Sequence, residues 1–163
     1  MRKGGTALVF GGVQVLYYTK TTKGGYAMDA LTILAERFGR DSLLALATTD
    51  GHTPSVRTVN AYYEDGAFYV ITWALSHKMM EIASNPTVAL CGEWFSGHGT
   101  AENCGHVLKA ENLPMLAKLR QVFAAWYGNG HVNEQDEDTV LLRIRLTDGV
   151  VFSQGNRYEF TDA

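Results

Sequence analysis

Residues 55–78 read SVRTVNAYYEDGAFYVITWALSHK, and three pieces of this stretch carry both fold and chemistry. Ser55-Val56-Arg57-Thr58-Val59 has the residue types of a strand. After the Asp65-Gly66 hairpin, Tyr69-Val70-Ile71-Thr72 reads as a second strand, and Ser76-His77-Lys78 opens a short helix. A strand bearing arginine, a strand ending in threonine and a Ser-x-Lys helix start can bring two cations, a hydroxyl and free backbone amides to one dianionic group. The stretch therefore reads as a phosphate clamp, and a phosphate clamp points to a phosphorylated cofactor.

Outward from the clamp, strand-like runs cover residues 42–49, 54–63, 67–72, 87–94, 100–108, 139–147 and 150–154. Asp50-Gly51, Asp65-Gly66 and Asp148-Gly149 each separate two such runs, and Asp-Gly adopts the positive backbone angles of tight hairpins. The sheet should be mostly antiparallel. Asp29 caps a short amphipathic helix in which Leu31, Leu34, Ala35 and Phe38 recur at helical spacing before Gly39. A second helix, 77–84, is capped by Ser76 and stopped by Asn85-Pro86; a third, 112–127, carries Leu116, Leu119, Phe123, Trp126 and Tyr127 on one side and ends at Gly128. The acidic run from Glu134 to Asp138 reads as a solvated connector. Many strands, tight turns and few helices make a mainly β fold with flanking α, a small barrel or sandwich.

At 163 residues the chain suits one domain with one core, large enough to fold without disulfide or metal. A net charge of −3 gives no general attraction to nucleic acid or to an anionic membrane, so neither is expected as a partner. Only Cys91 and Cys104 occur, without a CxxC pair, which fits a reducing cytoplasm.

Residues 1–27 differ from the rest. Arg2 and Lys3 precede an apolar run from Ala7 to Tyr18, but Gln14 interrupts it, no clear cleavage site follows, and it is too short to span a bilayer. Lys23-Gly24-Gly25 can be encoded by a purine-rich ribosome-binding sequence two codons before Met28. Met28 is therefore expected as the native start, with 1–27 a leader that is not native or not ordered, and 28–163 the single domain. The alternative is that residues 7–18 add a strand.

With these elements in order, the chain resembles the pyridoxamine 5′-phosphate oxidase-like FMN-binding split barrels, over residues 29–160. The resemblance rests on Arg57-Thr58-Val59, on Thr72 at a strand end, and on Ser76-His77-Lys78 followed by Asn85-Pro86, Val88 and Trp94. It implies a six-stranded antiparallel split barrel, a homodimer, and FMN at the subunit interface. It also implies roles: Arg57 forks onto the phosphate, Lys78 adds a point charge, Ser76 a hydroxyl, and His77 stands where the oxidases have a further cation. Thr72 holds the flavin or its ribityl chain, and the backbone of Thr58, Val59 and Asn60 approaches the isoalloxazine edge.

The departures narrow the function. Tyr62 falls where the oxidases carry a lysine, the segment Phe95-Ser96-Gly97-His98-Gly99 lacks their Arg-Gln pair, and Arg157-Tyr158-Glu159-Phe160 does not reproduce their substrate-phosphate motif. Vitamin B6 oxidation is not expected; the likeness is to general stress and flavin reductase-like members. His98, Glu102, Cys104 and His106 would share one face of an uninterrupted strand, yet the neighbouring glycines signal bends and no familiar zinc spacing occurs, so no metal site is assigned. The reading is an FMN oxidoreductase that passes electrons from a nicotinamide nucleotide or reduced partner to a small acceptor. No side chain is assigned as catalytic. A non-catalytic protein that binds or senses flavin or haem is the alternative.

Overall fold

The computed structural model describes residues 6–10, 13–17 and 29–162. Helix α1 (Ala30–Phe38) starts where Asp29 accepts the Thr32 amide at 2.7 Å and turns Ala30, Ile33, Leu34 and Phe38 into the core. Its end needs a glycine for closeness rather than for a left-handed angle. Gly39 has φ −70, and a Cβ there would stand 2.4 Å from the Ala35 carbonyl oxygen.

Six strands close on themselves. β3 (Ser42–Thr49) pairs with β4 (Pro54–Glu64) and with β6 (Thr87–Gly92); β6 pairs with β7 (Phe95–His106), β7 with β8 (Thr139–Ser153), β8 with β5 (Ala67–Trp73), and β5 with β4, all antiparallel. This is the closed six-stranded antiparallel barrel that the family resemblance implied, flanked by helices. Inside it Phe38, Phe68 and Phe95 meet with ring centroids 5.7–5.8 Å apart, around Leu44, Leu46, Leu142 and Ile144. The alternation of β3, Leu44-Ala45-Leu46-Ala47-Thr48, sends the larger side chains inward and the alanines out.

Three boundaries differ from the sequence reading. Asp148-Gly149 is not a hairpin, because β8 continues through it, with a bulge at Thr147, and turns only at Gln154-Gly155, whose φ values are 49° and 74°. Beyond that turn β9 (Asn156–Asp162) pairs with the second half of β8. The run 87–94 breaks at Glu93-Trp94, with Trp94 at φ 52°, so β7 begins at Phe95 rather than at residue 100. The long third helix is α3 (Leu113–Val122) followed by one turn, Ala124–Trp126, and a wide turn through His131. Its Leu116 and Leu119, with Phe123, Val107 and Leu141, form a second core beside the barrel.

The segment expected as a leader contributes backbone to the sheet: β1 (Thr6–Phe10) pairs with β2 (Val13–Tyr17), and β2 meets β9 through Val15↔Asp162 and Leu16↔Thr161. Met28, the expected start, lies outside the described residues, as do 1–5, 11–12, the rest of 18–27, and Ala163.

Candidate functional site

Strands β4 and β5 part company along most of their length. Their ladder covers only Tyr62↔Tyr69, Tyr63↔Phe68 and Glu64↔Ala67. From Ala61 back to Pro54, β4 is laddered on β3, and from Val70 to Trp73, β5 is laddered on β8. The ladder is therefore open here, a cleft in the pairing with the backbone of β4 on one lip and the β5–α2 junction on the other. Arg57, Thr58, Val59 and Asn60 lie on the first lip; Thr72, Ser76, His77 and Lys78 lie on or just beyond the second.

Helix α2 (His77–Ser84) buries Met79 and Ile82, which fixes how its first turn faces the barrel. Ser76 is its N-cap, and its carbonyl accepts from the Met79 and Met80 amides. The Ser76 hydroxyl does not cap the helix. Its Oγ lies 3.2 Å from Lys78 Nζ, so hydroxyl and ammonium form one polar pair. Burial, and then the nearby Arg57 charge, holds the Lys78 ammonium below its ordinary range. Two cations therefore sit close enough to disfavour each other, the arrangement an anion relieves.

Arg57 is already engaged. Its Nη2 lies 3.3 Å from Glu81 Oε2, and its Nη1 donates to Thr48 Oγ1 at 2.5 Å and to the Leu46 and Ser55 carbonyls at 3.3 and 3.4 Å. Glu81 also accepts from the Thr48 hydroxyl and from Ser55 Oγ at 2.9 Å, and His77 Nδ1 stands 3.6 Å away. With a side-chain exposure of 4% against 24% for Arg57, the carboxylate is the enclosed member and the guanidinium the more accessible one. The Thr48 hydrogen bond, then those of Ser55 and Arg57 together with the His77 charge, hold the Glu81 carboxyl below its usual range despite burial.

Reading the sequence alone missed Thr48 and Glu81. Glu81 left a faint signal: it lies four residues after His77 and three after Lys78, on the same side of α2. Thr48 left none, since it joins only through the β3–β4 register, where Leu46 faces Arg57 and Thr48 faces Ser55. Asn60 is held from elsewhere: its side-chain amide donates to Asp41 at 2.8 Å, and Asp41 also receives the Trp126 indole N–H at 2.7 Å. Only the Asn60 backbone is left to serve the cleft.

The candidate metal cluster comes apart. β7 shifts register between His98 and Gly99 and again between Asn103 and His106, as the glycines suggested. His98 lies 2.8 Å from Asp148, Glu102 takes Arg143, and His106 Nε2 meets the Asp136 carbonyl oxygen. Among the described residues no group of three potential ligands converges.

Residues 34–150 match the family profile described as pyridoxamine 5′-phosphate oxidase. The chain belongs to the pyridoxamine 5′-phosphate oxidase family. No curated protein matches the sequence. Among solved structures, General Stress Protein 26 of Bacillus anthracis superposes with a TM-score of 0.61 at 17% identity, covering 83% of this chain and 100% of that one. A FAD-binding protein of Mesorhizobium loti gives 0.57 at 16% identity, covering 73% and 90%. An F420 reductase gives 0.53 at 18%, covering 77% and 96%. At such identities the likeness is one of fold, so the oxidase family's name does not carry its reaction to this member.

Proposed function

We propose that the chain is a flavin-binding oxidoreductase that holds FMN or a related phosphorylated flavin in the cleft between β4 and β5. The observation that carries this reading is the parting of the two strands between Arg57 on β4 and the Ser76–Lys78 pair that follows β5. The cations and the hydroxyl suit a phosphate, and the stretch of β4 laddered on β3 alone, including Thr58 to Asn60, offers main-chain groups along the lip where the polar edge of a planar ring would lie. Bound there, a flavin supplies hydride and electron transfer through N5. The protein's share is positioning: Arg57 and Lys78 anchor the phosphate end, Thr72 orients the chain between phosphate and ring, and main-chain donors of β4 favour the charge that reduction places on the ring.

A FAD-binding protein and an F420 reductase among the fold neighbours support a redox role for the same cleft here. The electron donor in this reading is a nicotinamide nucleotide or a reduced partner, and the acceptor a small molecule. The working form is a homodimer in the cytoplasm, where free Cys91 and Cys104 stay reduced. Support for the dimer comes from apolar side chains left in water: Leu43, Val56 and Trp94 are 64%, 70% and 71% exposed. Val56 lines an open groove of about 600 Å³ with Ala45, Ala47 and Ala89, Leu43 lies on the same face of β3 as the two alanines of that strand, and Trp94 stands in the β6–β7 turn.

The test is an absorption spectrum of the purified protein, mass identification of the released chromophore, and titration with NADH or NADPH in the presence of an acceptor. A flavin spectrum bleached by the reduced nucleotide is expected. A haem spectrum, or no binding of any flavin on addition, overturns the reading.

A further inference from the structure

The clamp contains a carboxylate, which a site for a dianion has no evident use for. We propose that Glu81 is a built-in counter-ion that makes the site prefer a flavin whose phosphate carries one negative charge, a phosphodiester, over the doubly charged phosphomonoester. This rests on the flavin reading of the cleft and narrows its ligand class.

The argument is a count of charges and of donors. Around Glu81 stand Arg57 from β4, His77 from α2 and the neutral hydroxyls of Thr48 and Ser55, while Lys78 is paired with Ser76 and within reach of the Arg57 charge. Asp50, the other acid in range of His77, already receives the His52 and Thr53 amides within its own turn. At pH 8, where an ordinary imidazole is neutral, the clamp's Arg57, Lys78 and Glu81 sum to one positive charge. A phosphodiester brings that sum to zero, whereas a phosphomonoester, close to −2 once fully ionised, leaves a surplus negative charge in a partly buried site. The donors agree with the charges. Arg57 spends Nη2 on Glu81 and Nη1 on Thr48 and two carbonyls, so the fork that would grip a dianion from two sides is largely closed. What remains for a phosphate is Lys78, the Ser76 hydroxyl and a shared edge of Arg57, a donor set suited to the two unesterified oxygens of a diester.

Glu81 cannot leave the site easily. Its carboxylate is enclosed, hydrogen-bonded by two hydroxyls, and seated between buried Met79 and Ile82 on α2. A ligand therefore meets the carboxylate as part of the wall.

The experiment compares riboflavin, FMN and the monomethyl ester of FMN, which differs from FMN in one phosphate charge and one methyl group. Binding to the full chain is measured by quenching of flavin fluorescence at pH 8, where the monoester is a dianion and an ordinary imidazole is neutral. The ester is expected to bind at least as tightly as FMN, and both more tightly than riboflavin. In Glu81→Gln, FMN should gain about tenfold, the ester less than about threefold, and riboflavin nothing, so that the order of FMN and ester reverses. FMN binding more tightly than its ester to the native protein overturns the proposal, and that comparison needs no variant to fold. An unchanged FMN-to-ester ratio in folded Glu81→Gln overturns it equally. Either result leaves the flavin reading standing, since all three ligands still bind; failure of all three to bind removes that reading and the proposal with it.

Discussion

In the proposed clamp Arg57 and Lys78 meet the same anion in different ways, and substitution should separate them. Charge-assisted hydrogen bonds contribute about 1.5–3 kcal/mol each, so Arg57→Ala or Lys78→Ala should weaken binding of a phosphorylated flavin by roughly ten- to a hundredfold. Riboflavin should bind each variant as it binds the parent, whereas a folding defect would lower both ligands together. Lys78→Arg keeps the charge and should be mild. Arg57→Lys should still cost affinity, because an ammonium cannot satisfy Glu81, Thr48 and two carbonyls at once. If both alanine variants stay folded and bind phosphorylated flavin like the parent, the site is misassigned. Legibility at this scale followed sequence distance. Ser76, His77 and Lys78 are contiguous and Arg57 sits in a recognisable strand, so all four could be read directly; the Glu81 hub is assembled from β3, β4 and α2, and no local pattern announces a contact across three elements.

The elements most often misread were those where glycine does something other than turn. Gly149 sits mid-strand because β9 and β7 crowd it: a Cβ there would stand 2.7 Å from Phe160 Cζ and 2.9 Å from the Ser96 carbonyl oxygen. Asp-Gly is a hairpin signal only when the chain has room to reverse, and here the strand continues to close the barrel. Gly149→Ala should cost roughly 1–3 kcal/mol, a fall in Tm of about 2–10 °C, and Gly149→Asn, a good turn residue, should be worse still. Equal tolerance of asparagine and glycine in a thermal melt would restore the hairpin reading. The acidic connector was likewise underestimated. Glu134 binds Arg120 of α3 at 2.5 and 2.7 Å and takes the Tyr127 hydroxyl at 2.6 Å, so it pins the wide turn to the helix. Arg120, then the Tyr127 hydrogen bond, hold the Glu134 carboxyl below its usual range. A depressed carboxylate stabilises the fold above its ordinary pKa and loses that contribution as pH falls through the depressed value. Discounted for the exposure of Arg120, the contribution is about 0.5–1 kcal/mol. Glu134→Gln should therefore melt a few degrees below the parent at neutral pH, with the gap closing in acid below the usual carboxylate range. A gap that stays constant down to pH 3 would show that charge is not the cause.

At the scale of the whole molecule the barrel closes through β3 to β8 without help from either end of the chain. A chain beginning at Met28 should therefore keep the barrel, its flavin affinity and a Tm close to that of the full chain; a large fall would show that β1 and β2 support the fold through their short contact with β9. In solution the protein should sediment as a dimer, and Trp94→Ser should shift it toward monomer by removing an aromatic side chain that is 71% exposed. Tyr62 is committed within the chain, packing against the α3 core and donating to Glu64, so it is not expected in that contact. The parted strands have a further consequence, readable in time rather than in space. In an antiparallel ladder alternate residues turn their amides to opposite neighbours, so between Pro54 and Ala61 every second amide of β4 points at β3 and the rest point into the cleft. In deuterated water this strand should exchange as two interleaved populations, one slow and one fast, with a period of two residues. A ligand that lies along the cleft should slow only the fast set, turning the strand's own alternation into a residue-by-residue record of where that ligand rests.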